Sequence, residues 1–389
     1  MPWPYRLALP ALVLAAACSN STGNISPSAA LTAPNPIDLG VTFANSDAFA
    51  VNASGQAVGN QGRGRAADGF IWDNGVITLL TTGFGGAEGS AAVASGTNSQ
   101  GQLQVVGTVF FGDAGEHAFL WVQGVMRDLG SLAPGDPSYD VSRATDVNPA
   151  GQVAGRSLTA GGSTHAFLWK AGTMLDLGTL GGGASVATAI NAAGQVTGSA
   201  LTATGSTHGF FWDQGNMIDL GTLPGGSASE AVAINARGQV VGNAQTAGGR
   251  FHAFIWAQGT MTDLGTLGGD RSDPTAINDA GQVVGEAQTA SGSYHAFVWD
   301  RGVMTDLGTL SGGGDQSRAA AINSKGQVVG SGIAVNGRNH AVLWDRGRII
   351  DLGTLGGEGS VANGISPTGS VVGTSQTAAS AFDAVLWSR

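Results

Sequence analysis

The sequence predicts an all-β fold: an eight-bladed β-propeller of four-stranded antiparallel blades, closed by an N-terminal strand that completes the last blade. Three observations carry this. Four short elements recur in fixed order from residue 37 to the end. Each is rich in Val, Ile, Phe, Trp or Leu and bounded by Gly and Asn, which is strand punctuation. The third is spacing: the tryptophans closing the repeats (Trp72, Trp121, Trp169, Trp212, Trp256, Trp299, Trp344, Trp387) lie 43 to 49 residues apart, the size of a propeller blade. No apolar pattern of 3.6-residue period persists, so almost no helix is expected.

The first element, strand A, reads Ala-x-Ala-Ile-Asn and ends at Asn52, Asn98, Asn148, Asn191, Asn235, Asn278, Asn323 and, degenerately, Ser366. Its alanines suit the crowded axis of a ring. Strand B, Gly-Gln-Val-Val-Gly, follows after a turn such as Asn278-Asp279-Ala280-Gly281. Strand C, His-Ala-Phe-x-Trp, places His, Phe and Trp on one face by period-two alternation. Its bulk fills the space where blades splay apart. A second turn, as at Asp300-Arg301-Gly302, leads to strand D, which ends in Asp-Leu-Gly at Asp38, Asp128, Asp176, Asp219, Asp263, Asp306 and Asp351. Both turns read as type I turns followed by a bulged Gly. The repeats begin with strand D and end with strand C, so the two termini are expected to share a blade. The alternatives are a seven-bladed ring and a β-solenoid. The solenoid needs one-way rungs without tight hairpins.

Composition agrees. Gly is frequent, 65 of 389 residues, but sits at fixed offsets, and charged residues make up only 11%. The net charge of −10 and the lack of any basic run argue against nucleic acid as a partner. One cysteine, Cys18, leaves no pair for a disulfide or a cysteine-based metal cluster. Residues 1–17 have a short basic start, a compact apolar run and small residues directly before Cys18, the layout of a secretory signal. They resemble a bacterial lipobox, with Cys18 as the lipidated residue and membrane anchor. Ala15 departs from the commoner Leu. Residues 18–36, rich in Ser, Thr, Asn and Pro, read as a flexible tether, and 37–389 as one propeller domain.

The triplets His117-Ala118-Phe119, His165-Ala166-Phe167, His252-Ala253-Phe254 and His295-Ala296-Phe297, together with Asp-Leu-Gly-Thr-Leu-Gly-Gly and Ala-Ile-Asn-x-x-Gly-Gln-Val-Val-Gly, resemble the bacterial HAF-repeat family of extracellular repeat proteins. Departures are Asp68-Gly69-Phe70, His340-Ala341-Val342 and Asp383-Ala384-Val385. The resemblance covers residue 37 onward. It implies export and repetition and no particular reaction.

Residues present in every copy are expected to be structural. The six histidines start strand C in six blades, too far apart by rotational symmetry to share a metal; each is expected to bond a neighbouring strand or turn. The repeated Asp is expected to do the same. Structural calcium has no Asp-x-Asp-x-Asp loop to support it, and no cofactor is expected. Function should lie where copies differ. Hairpins A–B and C–D share one face of the disc, so the variable D–A and B–C loops share the other. The candidate ligand-binding residues there are Arg63, Arg65, Phe110, Phe111, Asp113, Asp136, Tyr139, Arg143, Arg250, Arg271, Asp315 and Arg318, accompanied by Phe251, Asp273, Arg338 and Glu358. The loop from Ala133 to Arg143 is the richest. Asp146 joins them as the one acidic residue expected in an inner strand, a hydrated carboxylate near the axis. Paired carboxylates, Gly-x-Ser-x-Gly, phosphate loop and His-Glu-x-x-His are missing from the sequence, so no enzymatic activity is expected. The sequence therefore points to an exported, envelope-anchored monomer that binds a protein or glycan through its variable-loop face. A purely structural envelope or adhesion element and a polysaccharide-directed enzyme are the alternatives.

Overall fold

The computed structural model describes residues 34–41, 45–62, 67–81, 85–111, 115–136 and 138–388. Among them the regular structure is β throughout, in eight separate four-stranded antiparallel sheets. Strand A of blades 1 to 8 spans Asp47–Val51, Gly89–Thr97, Ser142–Val147, Gly181–Ile190, Ser229–Ile234, Gly268–Ile277, Ser317–Ile322 and Gly356–Ile365. Each of these strands lies against strand A of both neighbouring blades, so the ring has eight members and closes on itself. Closure uses the expected device. Pro36–Asp38 pairs antiparallel with the last strand, Pro36 opposite Trp387 and Asp38 opposite Val385. The first strand thus ties the N-terminal end of the ring to its C-terminal end.

The two hairpins differ in a way the sequence reading missed. At the A–B turn, Gly281 N–H bonds Asn278 O at 3.0 Å and Gly281 sits at φ +89°, the expected type I turn with a bulged Gly. At the C–D turn, Asp300 pairs directly with Val303, leaving a two-residue loop. Both of its residues, Arg301 (φ 48°) and Gly302 (φ 91°), are left-handed. That is a type I′ turn, whose twist matches the flanking strands. Asn74, Gln123, Ala171, Gln214, Gln258 and Arg346 take the same first position.

Loop length governs the D–A connection. The first serine of strand A follows the Asp of Asp-Leu-Gly at the ninth position in three copies (Asp176–Ser185, Asp263–Ser272, Asp351–Ser360). In these, Leu180, Leu267 and Leu355 form parallel bridges to Thr202, Thr289 and Thr377, and strand A lengthens to ten residues. In the longer connections the leucine bridge is missing among the described residues, and single backbone bonds such as Leu158 N–H to Val141 O and Gln245 N–H to Ala228 O continue the ladder instead.

The apolar core is divided among the blade interfaces. Eight buried clusters each join adjacent blades; Ala154, Ala166 and Leu168 of blade 3, for example, pack on Ile190, Phe210 and Trp212 of blade 4. The strand C phenylalanines Phe70, Phe119, Phe167, Phe210, Phe254 and Phe297 are fully buried. The second Gly of strand B has a specific cause. Strand A carries a β-bulge in every blade, such as that between Ala231 and Ala233. The bulge drives a carbonyl toward strand B, so a Cβ on Gly242 would lie 1.9 Å from Glu230 O. Only glycine fits there.

Two rings of side-chain bonds cross the interfaces. The buried serine opening each strand A accepts the N–H that follows the strand C histidine position of the preceding blade: Ser272 Oγ from Ala253 N at 2.9 Å, and equivalently Ser46 from Ala384 and Ser90 from Gly69. In six blades the same hydroxyl donates to the glycine carbonyl of the preceding Asp-Leu-Gly, as Ser272 does to Gly265 at 2.6 Å. At the hairpin face, Asn191 Oδ1 accepts N–H groups of its own turn while its Nδ2 donates to Asn235 O of the next blade at 3.1 Å. The motif repeats from Asn148 round to Asn323.

Ser272→Ala leaves a buried N–H and a buried carbonyl unpaired, and is expected to lower unfolding free energy by about 1–3 kcal/mol. Ser227→Ala, at an exposed hydroxyl, is expected to change it by no more than about 0.5 kcal/mol. Denaturant titration of both checks this; equal effects would contradict the interface role.

Candidate functional site

The copy-invariant residues build the support. In blades 2 to 7, Nδ1 of the strand C histidine meets the carboxylate of the Asp ending strand D: His165–Asp176, His208–Asp219, His252–Asp263 and His340–Asp351 lie at 2.8–2.9 Å. The same Asp accepts the N–H of the Gly two residues on. The pair therefore locks strand C to the end of strand D.

Two blades add something. His117 Nδ1 lies 2.8 Å from Asp128 and Nε2 2.9 Å from Asp140. His295 Nδ1 lies 2.7 Å from Asp306 and Nε2 2.9 Å from Asp315. Asp140 and Asp315 belong to two of the longer D–A connections, on blades placed opposite one another in the ring. A neutral imidazole has one N–H, so bonding two carboxylates requires the imidazolium. Both histidines accordingly titrate above the ordinary 6.5. For His117 the Asp128 bond is the main cause, opposed by burial and reinforced by Asp140; for His295 burial opposes, and Asp306 and Asp315 outweigh it. Burial opposes ionisation of Asp140, but Ser131, the Gly135 N–H and His117 together hold its carboxyl below the usual range.

Four sequence candidates, Cys18, Arg63, Arg65 and Asp113, lie outside the described residues, as does the segment 1–17. The others fall into two sectors. The first covers blades 2 and 3. Phe110 ends strand B there, and Phe111 stands edge-on to His117 at 5.5 Å. Asp136 caps its own turn through Ser138 N–H at 3.0 Å, and the Tyr139 ring lies against Gly162. Arg143 is in strand A, not in a loop, and pairs with Glu116. The loop that looked richest is thus largely occupied in holding itself. Asp146 also differs from expectation. It is not simply hydrated: its two oxygens accept Val147 N–H at 2.8 Å and Ile190 N–H of the next blade at 2.9 Å. Burial pushes it up to about 6 against those two donors. Nor is it the one acidic residue of an inner strand, since Asp47, Glu230 and Asp273 lie in strands A as well; these strands begin earlier than the Ala-x-Ala motif suggests.

The second sector covers blades 5 to 8 and contains a cavity of about 560 Å³ between strands of blades 6, 7 and 8. Arg271 holds Asp273 through two bonds of 2.6 and 2.8 Å, which raises the guanidinium. Arg318, in strand A of blade 7, faces Glu286, in strand B of blade 6, at 4.0 Å. Burial raises the Glu286 carboxyl. Arg250 lies outside, 3.8 Å from Asp270, and Arg338 pairs with Glu358 at 3.2 Å. Tyr294, Gln316, Ser331 and Asn339 complete the wall. Asn243 marks the edge. Its equivalent Asn60 accepts Ala92 N–H at 2.8 Å, but the corresponding residue of blade 6 is Pro274, which has no N–H. Asn243 Oδ1 is therefore buried without a partner while its Nδ2 bonds Asp273.

Sequence reasoning missed Glu286, Tyr294, Gln316, Ser331 and Asn339 by looking for variation in loops alone. The signal was there. The Glu286 position is Asn60, Thr108, Arg156, Ser199, Asn243, Ser331 and Thr374 in the other blades, a variable position inside an otherwise regular strand.

No family model matches the chain, and no curated protein matches it. Among solved structures it is similar to Porphyromonas gingivalis dipeptidyl peptidase 4 (13% identity, TM-score 0.54, covering 90% of this chain and 58% of that one). It is also similar to a puromycin-hydrolyzing peptidase of Mycobacterium tuberculosis (13%, 0.52, 82% and 55%). A third is the β-propeller domain of the Trilobed protease from Pyrococcus furiosus (9%, 0.50, 81% and 100%), described as having an open velcro topology. This chain spans little more than half the length of the two peptidases. The likeness shows the fold. It also corrects the expectation that enzymatic activity is excluded: propellers of this kind occur in peptidases, so the lack of catalytic motifs does not make the chain a non-enzyme.

Because the folded-state values of His117 and His295 are raised, their contribution to stability is full below about pH 6.5 and is lost as pH rises through the raised values. Amide protection factors in residues 131–136 and 309–316, corrected for the intrinsic pH dependence of exchange, are therefore expected to fall as pH rises through those raised values, while those of residues 221–228 stay unchanged. An equal change in all three segments would contradict the role of the two doubly bonded histidines.

Proposed function

We propose that this chain is an exported, envelope-anchored binding module that takes its ligand on the variable-loop face, in the cleft of blades 6 to 8. The propeller fold is compatible with such a role. The observation that carries the reading is the set of uncommitted polar side chains around that cavity. Tyr294, Gln316, Ser331 and Asn339 make no side-chain hydrogen bond to the described residues, and Glu286 has the long 4.0 Å ion pair with Arg318 but no hydrogen bond. Convergent polar groups in a preformed concavity are the usual form of a ligand site.

The address rests on sequence. Residues 1–17 act as the lipoprotein signal, Cys18 carries the lipid, and 18–36 spaces the propeller from the membrane. The His-Ala-Phe and Asp-Leu-Gly repeats support membership of the HAF-repeat family, whose extracellular character agrees with this placement. No partner subunit is needed to complete the cleft.

The test is retention on isolated cell-envelope fractions. Arg271→Ala with Arg318→Ala is expected to reduce retention of the released propeller at least tenfold, while Arg237→Ala with Lys325→Ala, at the hairpin face, leaves it unchanged. Equal retention of all variants would overturn the reading in favour of a structural envelope element. Cys18→Ser is expected to move the full chain from membrane to soluble fractions; continued membrane association would refute the anchor.

A further inference from the structure

We infer that the cleft of blades 6 to 8 takes a neutral oligosaccharide. This rests on the binding-module reading above and names its ligand class. The argument is one of matching. The wall presents fixed acceptors in Glu286, fixed donors in Arg318, and groups that do both in Gln316, Ser331, Asn339 and the Tyr294 hydroxyl. A hydroxyl is the ligand group that donates and accepts at one atom, so a chain of sugar hydroxyls can satisfy such a mixed set throughout.

Charge gives no preference to the competing charged small ligands. Asp273 and Glu286 are balanced by Arg271 and Arg318, so the cleft offers neither a net positive nor a net negative field. An anionic ligand would meet Glu286 and the −10 charge of the chain; a cationic one would meet Arg318. Burial disfavours an isolated charge on Glu286 and raises its carboxyl, and hydroxyl donors on a ligand would relieve that. The Tyr294 ring, half-buried at the start of strand C in blade 6, supplies the apolar face against which a sugar ring can lie.

A polypeptide is less well matched. Peptide recognition relies on adding a strand to a free sheet edge or on apolar pockets for side chains. Strands A and B of these blades are already paired on both sides or face the axis, and apart from the Tyr294 ring the apolar wall is supplied by short aliphatic side chains, Ala320, Val361 and Ala362, with no deep pocket for a peptide side chain. The cavity, about 560 Å³, lies within the range of small-ligand pockets, about 300–1,000 Å³.

The experiment is calorimetric titration of the full chain with cellohexaose, maltohexaose and hexa-N-acetylchitohexaose, against polygalacturonate, heparin and an unstructured decapeptide. Binding to at least one neutral series is expected, weakened at least tenfold by Glu286→Gln and by Tyr294→Ala, and unaffected by Lys325→Ala. Tyr294→Phe separates stacking from hydrogen bonding and is expected to keep most of the affinity. Preference for a charged polymer or for the peptide, no binding to any neutral series, or neutral-glycan binding insensitive to both cleft variants would each overturn the inference. If charged polymer or peptide binds and the two cleft variants abolish it, the ligand class fails and the cleft survives. If the Lys325 variant alone abolishes binding, the face itself is wrong.

Discussion

Every blade boundary in this ring is crossed by a buried serine hydroxyl that accepts the backbone N–H next after the strand C histidine, or the aspartate that replaces it in two blades, of the preceding blade. The rest of the architecture depends on that contact. A four-stranded blade buries neither of its faces alone, and apolar packing between blades is not directional. The serine fixes register: it bonds one particular amide and, in most blades, one particular glycine carbonyl, so neighbouring sheets cannot slide past one another without leaving buried polar groups unpaired. The asparagine ring does the same at the opposite face. Between the two rings, the phenylalanines and small residues fill the wedge.

That division of labour explains where specificity can reside. Positions bound by the serine, asparagine, histidine–aspartate and glycine constraints cannot vary without cost, and they recur in copy after copy. Positions near the loop end of strands A and B that point toward the next blade, as Glu286 does toward Arg318, meet no such constraint. Blade 4 carries Val186 and Ser199 where blade 6 carries Asp273 and Glu286, with the same ladder in both. Chemistry can therefore be placed there without disturbing the ring, and the sector of blades 5 to 8 is where it accumulates.

Much of the fold was legible in the sequence because periodicity and turn chemistry are local. Blade number, strand order and closure by the N-terminal strand follow from the spacing of Trp, Asn and Asp-Leu-Gly. The C–D turn was misread because a non-glycine at its first position, such as Ala171 or Arg301, hides a left-handed conformation. The inner strands were drawn too short because Ser229 and Glu230 fall outside the alanine motif, and that concealed both the serine bridge and the acidic positions. The cleft was only half visible. Arg271 and Arg318 stood out as charges, but Glu286, Asn339 and Tyr294 lie in three different strands, and only the ring brings them together. The loop around Tyr139 misled for the opposite reason: its charged residues are already bonded, Asp136 to Ser138 N–H, Asp140 to Ser131 and His117, and Arg143 to Glu116, and its Tyr139 ring lies against Gly162.

Copy-invariant residues make the ring and copy-variable residues make the site. The most direct test gives blade 6 the residues of blade 4 at three positions, Asp273→Val, Glu286→Ser and Tyr294→Thr in one chain, and measures thermal unfolding beside ligand retention. Because none of the three takes part in the serine or asparagine rings, unfolding should shift by no more than a few degrees while retention is lost. A large, cooperative loss of stability, or retention equal to that of the unaltered chain, would contradict this division of roles.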